Sequence, residues 1–441
     1  MGFRGDFIKH GSGTECPEVF LQWAGLSVLG AVLGRKVWTM HGDHFPIYPK
    51  LYVCLVGDAG SGKSTAKDYA KRILREVRPD YLTSASFQSH QDIIDMMAND
   101  TTAINHWKHH ETAQIHEYRA FYAICNELAS MLSTDKKGMV EFLVDVYDDS
   151  DDFKTGYKGQ RKENPERKQV VPFPYVSVLA CAVPKWFMGN LKLDLFDGGL
   201  GRRLIVVYAN KSKLVPNPKK TADDSAAWQR AIAHLRTCAS EACQGELKKT
   251  EAAQKWWDDW YMDPKRFDLI DPIISQFHQT KHTQVLKVAM LLAKSDDPAA
   301  KWIEIHHLVT AEKMLTNLEP QVRHLTSGIG RNELAGIGAQ LIEFITRTGG
   351  MQTEVNVKKN FFRYANNPEF LQIIEHHKAI GDLFHELIPQ PNGTIRSVYM
   401  TVEGRETFRA MQAETLRIRE NTQSSNDLST LPKPPPPLCG P

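Results

Sequence analysis

A glycine-rich run of residues near position 60 has the side-chain types and the spacing that phosphate binding requires. The run consists of Gly57, Asp58, Ala59, Gly60, Ser61, Gly62, Lys63, Ser64 and Thr65. It matches the pattern G-x-x-x-x-G-K-[ST], in which glycines let the backbone wrap a phosphate group so that amide N–H groups point inward. In this pattern the lysine, here Lys63, reaches the β- and γ-phosphates, and the hydroxyl that follows, here of Ser64, is a ligand of Mg²⁺.

The elements around this run fit the same chemistry. Residues 51–56 form a continuous apolar stretch, which is typical of a strand that is buried on both faces. The helix predicted from Gly62 to about Arg78 directs its amino end, which favours negative charge, at the loop. Strand, loop and helix together predict that the chain binds a nucleoside triphosphate, which we expect to be ATP, together with Mg²⁺.

A second predicted strand, residues 120–125, ends in a polar pair that has the position of a Walker B motif. In that motif an aspartate orients Mg²⁺ through water, and a glutamate activates the attacking water. Here Asn126 stands at the first position, and its amide is able to hold a metal-bound water. Glu127 stands at the second position and is our candidate general base. The alternative for Glu127 is a solvated carboxylate at a strand end.

Two arginines follow a glycine-rich turn and precede an apolar strand at 203–208. An arginine presented in this way is able to stabilise the charge of a transferring phosphoryl group, in its own subunit or in a neighbour. Arg203 is the first candidate for this role and Arg202 the second. The alternative is that both arginines pair at the surface with Asp194 or Asp197.

Strands that alternate with helices predict an α/β fold, here a P-loop NTPase core with a largely parallel sheet. A helical region and a winged-helix-like carboxyl-terminal domain are expected to follow the core. The predicted divisions are an amino-terminal helical segment at 1–50, the ATPase core at 51–213, a helical domain at 225–325, a winged-helix-like domain at 331–412 and a disordered Pro-rich tail at 413–441.

Two basic segments are candidates for contact with nucleic acid. The first is a loop between core strands, in which positive charge and an aromatic ring would track a phosphate backbone. Its candidate residues are Lys154, Tyr157, Lys158, Arg161 and Lys162. The second begins a helix of the winged-helix-like domain and comprises Lys358, Lys359 and Arg363. A solvated surface loop and a charged outer helix face are the respective alternatives.

Residues 91–119 are polar, and we predict them to be mostly helical. His106, His109, His110 and His116 would share this helix, with His106 and His110 on one face, as zinc ligands can be. Without a cysteine or carboxylate constellation beside them, a surface helix is the favoured interpretation.

Composition excludes several other classes of protein. The chain has 441 residues, of which 42% are hydrophobic and 24% charged, so it is neither disordered nor collagenous nor a coiled coil. The formal charge of +2 provides no global basic field, so nucleic acid would have to bind to local patches. The 7 cysteines lack metal-ligand spacing, which favours a reducing cytoplasm. No signal peptide or apolar stretch of membrane-spanning length is found, and we expect no membrane partner.

Several of these motifs, in this order, resemble P-loop ATPases of phages and mobile elements, often the helicase half of primase–helicase proteins. The resemblance covers about residues 15–325 and rests on the segments 17–20, 34–37, 51–65, 126–128, 183–184 and 198–204. The last segment also resembles the arginine motif that closes superfamily 3 helicases.

The resemblance implies an ATP-dependent DNA helicase or translocase for the replication of phage or mobile-element DNA in a bacterial cytoplasm. It implies a homo-oligomeric ring, of which a hexamer is one form, that hydrolyses ATP at subunit interfaces and acts on single-stranded DNA. A primase or other replication proteins are the expected partners, because the sequence has no primase-like zinc cluster.

Asn126 departs from the pattern of this family and leaves a second function open. That function is an ATP-switched DNA-binding initiator or helicase loader with slow turnover. A small-molecule kinase is disfavoured, because the long region 225–412 follows the core where a kinase would need a substrate lid.

Overall fold

A computed structural model of the chain describes residues 2–84, 89–133, 136–148, 152–154, 170–190, 199–211, 213–264, 272–326, 334–390 and 393–424. The chain divides into two compact units, Met1–Thr326 and Ser327–Pro441. Each unit mixes helices with strands, and the predicted α/β class is confirmed.

The first unit contains both short and long strands. They are β1 (Val37–His41), β2 (Phe45–Ile47), β3 (Tyr52–Val56), β4 (Ile104–Lys108), β5 (Ile115–Cys125), β6 (Asp152–Lys154), β7 (Val170–Pro172), β8 (Tyr175–Ala182), β9 (Leu204–Tyr208), β10 (Gly245–Glu246), β11 (Lys248–Lys249) and β12 (Trp302–Ile303). Its helices are α1 (Phe3–Gly11), α2 (Glu18–Leu33), α3 (Lys63–Val77), α4 (His90–Asn99), α5 (Leu128–Ser133), α6 (Lys136–Asp145), α7 (Pro184–Asn190), α8 (Ala222–Ala239), α9 (Glu251–Tyr261), α10 (Pro272–Asp296), α11 (Ile305–Thr316) and α12 (Glu319–Thr326).

A five-stranded sheet with the order β4–β5–β8–β3–β9 lies at the centre of this unit. β5, β8, β3 and β9 are parallel, whereas β4 pairs antiparallel with β5 at one edge. Every residue of β3 and β8 is buried, as expected of strands covered on both faces. The predicted largely parallel sheet is therefore confirmed, and β8 lies between the two strands that carry the predicted Walker motifs.

The helix α2 packs against this sheet and is apolar on every side, so it has to be buried. Its residues from Trp23 to Leu33 are all buried. Two tyrosines of the sheet donate hydrogen bonds to it, Tyr122 to the Ser27 hydroxyl at 2.8 Å and Tyr175 to the Gly30 carbonyl at 2.7 Å. One hydrophobic core then continues from α1 and α2 through the sheet into α8, α10 and α11.

The prediction of a mostly helical segment at 91–119 is wrong beyond α4. A strand pair, β4 and β5, follows that helix. From residue 105 to 108 the side chains alternate: Asn105 and Trp107 are buried, and His106 and Lys108 are exposed. This alternation is the two-residue period of a strand. The four histidines therefore lie on a hairpin, with His109 and His110 between its strands.

In its described residues, the second unit contains three helices, a three-stranded antiparallel sheet and a terminal helix. Its elements are α13 (Leu334–Arg347), β13 (Met351–Thr353), α14 (Glu354–Phe361), α15 (Asn367–Ala379), β14 (Leu383–Pro389), β15 (Ile395–Thr401) and α16 (Val402–Ser424). The strand order is β13–β15–β14. A small core of its own, which includes Leu341, Ile345, Phe361 and Phe370, holds these elements together.

The helix α16 continues to Ser424, past residue 413, where the sequence predicts a disordered tail. The residues from Val402 to Ser424 include no proline and are rich in Arg, Glu and Gln, which favour helices. Residues 425–441 lie outside the described part of the chain. Within the described part, no helix combines the length and the apolar composition that a bilayer span requires.

Replacing Gly30 by alanine should lower the free energy of unfolding by about 1–3 kcal/mol, although alanine favours helices over glycine. The reason is that a Cβ atom at this position would lie 2.4 Å from the carbonyl oxygen of Pro49, which is backbone. Gly25→Ala in the same helix is the control, because the atoms nearest to its Cβ would belong to the side chain of Phe7, the first at 3.1 Å. Urea unfolding of both variants tests this, and an equal effect of the two substitutions would contradict it.

Candidate phosphate-binding site

The glycine-rich run 57–62 leaves the carboxyl end of β3 and leads directly into α3. The backbone N–H of Gly57 donates to the carbonyl of Ala182 at the end of β8, at 3.2 Å. On the other side, the N–H of Ala209 after β9 donates to the carbonyl of Val56, at 3.0 Å. The ends of two neighbouring strands thus hold the start of the loop.

Two glycines of the loop are required by space and backbone geometry. A Cβ on Gly57 would lie 2.3 Å from the carbonyl oxygen of Ala209. Gly62 has φ of +91°, in the left-handed region, and a Cβ there would lie 2.8 Å from the Cα of Cys16. The loop is therefore packed against the segment after α1 and against the end of β9.

Lys63 is only 7% exposed, and its own loop supplies the oxygen atoms around its ammonium group. Nζ donates to the carbonyls of Gly57 at 2.5 Å and Asp58 at 2.8 Å, and to the hydroxyl of Ser61 at 3.3 Å. Burial lowers the pKa of Lys63, and the nearby charge of Glu127 opposes this shift. Such an arrangement presents one positive charge inside a curved loop, where phosphate oxygens can replace the carbonyls as acceptors.

The remaining residues of the run differ in exposure. Ser61 and Gly57 are buried, and Thr65 is half-buried. Asp58, Ala59, Gly60 and Ser64 are exposed, so the hydroxyl of Ser64 is open to a ligand from solvent.

The polar pair predicted after the second strand lies at the same edge of the sheet, because β5 and β3 are parallel with β8 between them. Cys125 pairs with Ala180, and Asn126 and Glu127 follow it directly. Asn126 is exposed and Glu127 half-buried. Glu127 and the loop that holds Lys63 thus both follow carboxyl ends of strands of the same parallel sheet.

The strand between them contributes a thiol to this edge. Cys181 is the penultimate residue of β8 and pairs with Leu55. Burial raises the pKa of Cys181 to about 12, and Lys67, Lys63 and Glu127 all act on it. Ser177 is fully buried opposite Tyr122 in the strand interior, so it lies too early in β8 to face the loop.

Lys67 is a further member of the site that the sequence reasoning missed. It lies one helical turn after Lys63 on α3 and is 6% exposed. Its Nζ donates a hydrogen bond to Oδ1 of Asn126 and lies 3.0 Å from a carboxylate oxygen of Asp68. The four-residue spacing from Lys63, which places both lysines on one helix face, was the signal available in the sequence.

The donor set fits Mg²⁺ only in part. The Ser64 hydroxyl and the Glu127 carboxylate are oxygen groups of the kind that Mg²⁺ binds together with nucleotide phosphates and water. Asn126 does not fit, because its amide oxygen accepts from Lys67 and the ammonium group would repel a divalent cation. The contact with Lys67 therefore argues against Asn126 as the holder of a metal-bound water.

Arg203 lies at the end of the sheet where the parallel strands begin, whereas the loop lies at the end where they finish. It immediately precedes β9, whose first residue, Leu204, pairs with Tyr52 at the start of β3. The five residues of β9 span about 17 Å, farther than an arginine side chain reaches. Arg203 therefore does not reach a phosphate bound at Lys63 of the same chain.

The side chain of Arg203 is 5% exposed, and both of its terminal nitrogens have partners, whereas its buried Nε has none. It donates to the carboxylate of Asp148 at 2.6 Å and to the carbonyl of Gly199 at 2.9 Å. Asp194 and Asp197, the partners considered from the sequence, lie outside the described residues. Arg202 is only half-buried and remains the more accessible arginine.

The candidate nucleic-acid residues lie away from this loop in the chain. Lys154 belongs to β6, where it pairs with Val170, while Tyr157, Lys158, Arg161 and Lys162 lie outside the described residues. Lys358 and Lys359 are exposed on α14, and Lys358 pairs with Glu354 at 2.6 Å. Arg363 is exposed just after this helix.

The histidines of the β4–β5 hairpin do not form a prepared zinc site. His109, His110 and Glu111 have ligand atoms within 4.8 Å of one another. However, Nδ1 of His109 accepts from the backbone N–H of Glu111 at 3.3 Å, so the neutral ring carries its proton on Nε2. His106, on β4, pairs with Glu117 and is not part of this group.

No family model matches this sequence, and a comparison with curated proteins finds no match either.

Arg203→Ala should lower the free energy of unfolding by about 2 kcal/mol, because its buried side chain packs over the ring of Tyr147 and donates to the Gly199 carbonyl. Arg202→Ala, one residue earlier and half-buried, should change it by no more than about 0.5 kcal/mol. Denaturant unfolding of the two variants measures the difference. Equal stability of both variants would mean that the contacts of Arg203 contribute nothing to folding.

Proposed function

We propose that this chain is an ATP-dependent DNA helicase or translocase, which hydrolyses ATP at interfaces between its own copies. The observation that carries the proposal is the loop after β3, with the buried ammonium of Lys63 inside it and Glu127 after β5, the next strand but one in the sheet. A buried cation that is surrounded by carbonyls and stands at a helix amino end has the chemistry of a phosphate receptor.

The residues of the site then have distinct tasks. On binding, Lys63 exchanges the carbonyls of Gly57 and Asp58 for oxygens of the β- and γ-phosphates, and the loop N–H groups surround the phosphate chain. Glu127 orients the attacking water and accepts its proton. Mg²⁺, when bound with the nucleotide at Ser64, would neutralise charge on the phosphates.

The proposal also requires an arginine that reaches the nucleotide from a neighbouring subunit. Arg203 lies at the far edge of its own sheet, so it can act on a nucleotide only across an interface between copies, and Arg202 is the more accessible alternative. This requirement favours a ring of identical subunits, for which a hexamer is one form. Because Arg203 is paired with Asp148, it would have to leave that carboxylate to act.

The second unit supports a DNA partner through its element order. Helix, strand, two helices and a hairpin follow one another, with the first strand beside the last, and this order supports the proposal of a winged-helix-like domain. Lys358, Lys359 and Arg363 are exposed on it, together with Phe362 and Tyr364. Together with the basic segment 154–168, this unit is our candidate for contact with DNA, and single-stranded DNA is the proposed track.

A second candidate function is an ATP-switched DNA-binding initiator or helicase loader. The pair formed by Lys67 and Asn126 favours it, because a site without the first carboxylate of a Walker B motif is expected to turn over slowly. Replication of phage or mobile-element DNA in a bacterial cytoplasm, with a separate primase, is the proposed setting for either function.

ATP hydrolysis by the full chain, measured with and without single-stranded DNA, tests the motor directly. We expect DNA to stimulate turnover at least about tenfold, which corresponds to about 1.4 kcal/mol in the barrier. Lys63→Ala should abolish hydrolysis, whereas Lys71→Ala, two turns along the same helix and half-buried, should not.

Slow turnover that ignores DNA, with ATP binding intact and lost in Lys63→Ala, would contradict the motor and favour the switch. Hydrolysis that is equal in the wild type and Lys63→Ala would contradict both functions.

A further inference from the structure

The contact between Lys67 and Asn126 joins two positions that are 59 residues apart in the chain. Lys67 leaves α3 on the same face as Lys63, and side chains of a helix lean toward its amino end, here toward the phosphate-binding loop. Asn126 leaves the carboxyl end of β5 at the same edge of the sheet. The contact therefore lies inside the candidate site rather than on a remote surface.

Chemistry fixes the orientation of the Asn126 amide. An ammonium group has only donors, so the atom that faces Lys67 must be the amide oxygen. The NH₂ group of Asn126 then points away from Lys67 and offers donors. An aspartate at this position would offer only acceptors and a negative charge.

The local charge balance differs from that of a site built around two acids. Lys67, Lys63, Glu127 and Asp68 all act on the buried thiol of Cys181, so two cations and two carboxylates contribute to the charge at this place. The other carboxylate in contact, that of Asp68, is 64% exposed, and water weakens its effect on Lys67. The site thus holds a second fixed positive charge where an acid would bind a divalent cation.

We propose that Lys67, held in place by Asn126, is a second built-in cation of the phosphate site and supplies part of the charge compensation that Mg²⁺ supplies in sites with two acids. This inference rests on the proposed nucleotide binding. It makes Lys67 a binding residue for the triphosphate and Asn126 its positioning residue. The expected consequence is that nucleotide binding depends only weakly on Mg²⁺.

Equilibrium binding of a fluorescent ATP analogue to the full chain, with excess Mg²⁺ and with excess EDTA, tests this. In the wild type, EDTA should raise the dissociation constant by no more than about threefold. In Lys67→Met the same change should be at least about thirtyfold, because the metal must then supply the missing charge. Lys67→Arg, which keeps the charge, should restore most of the wild-type behaviour.

Two further variants make the test independent of whether Lys67→Met folds. Asn126→Asp leaves Lys67 in place but neutralises it with a carboxylate, so it should also raise the ratio of the two dissociation constants. Lys71→Met, further along α3, is the matched control and should leave that ratio unchanged. Thermal unfolding of each variant shows whether the fold is retained.

The outcomes separate this inference from the proposed function. If the analogue binds but the ratio is the same in the wild type, Lys67→Met and Asn126→Asp, the role of Lys67 is overturned and nucleotide binding stands. The role of Lys67 is also overturned if EDTA raises the dissociation constant of the wild type by more than about tenfold. If the analogue does not bind to the wild type in Mg²⁺ or in EDTA, both the inference and the proposed function fall.

Discussion

An ammonium group that is removed from water must have oxygen atoms to donate to, and this requirement organises much of the first unit. Lys50 is fully buried and donates to the carbonyl of Val146 at 2.8 Å, which ties the chain before β3 to the end of α6. Lys294 in α10 donates to the carbonyls of Cys243 at 3.1 Å and Pro298 at 2.8 Å. Lys63 meets the same requirement with its own loop, and Lys67 meets it with Asn126.

The parallel direction of the strands places residues from distant parts of the sequence at one candidate site. Because β3, β8 and β5 run in the same direction, the residues that follow β3 and β5 meet at one edge, although Lys63 and Glu127 are far apart in sequence. The same geometry sends Arg203 to the opposite edge, since it precedes its strand. The chain therefore carries the candidate phosphate-binding loop at one end of its parallel strands and the buried arginine at the other.

The strand, loop and helix of the candidate site were predictable from sequence because the signal is local: the glycines, Lys63 and Ser64 are contiguous and follow an apolar strand. The partner of Lys67 was not, because a contact between a helix face and a strand end depends on the strand order. The hairpin at 104–125 was missed because polar side chains alternate with only two buried residues in β4, and polarity alone suggested a helix. Asp148 as the partner of Arg203 follows from tertiary packing, which no spacing in the sequence reveals.

A crystal structure of the full chain with a non-hydrolysable ATP analogue would test the central claim most directly. The claim predicts that the triphosphate lies in the loop 57–62, with Nζ of Lys63 on β- and γ-phosphate oxygens and no longer on the carbonyls of Gly57 and Asp58. A structure in which the analogue binds elsewhere, while Lys63 keeps its contacts with Gly57 and Asp58, would contradict it.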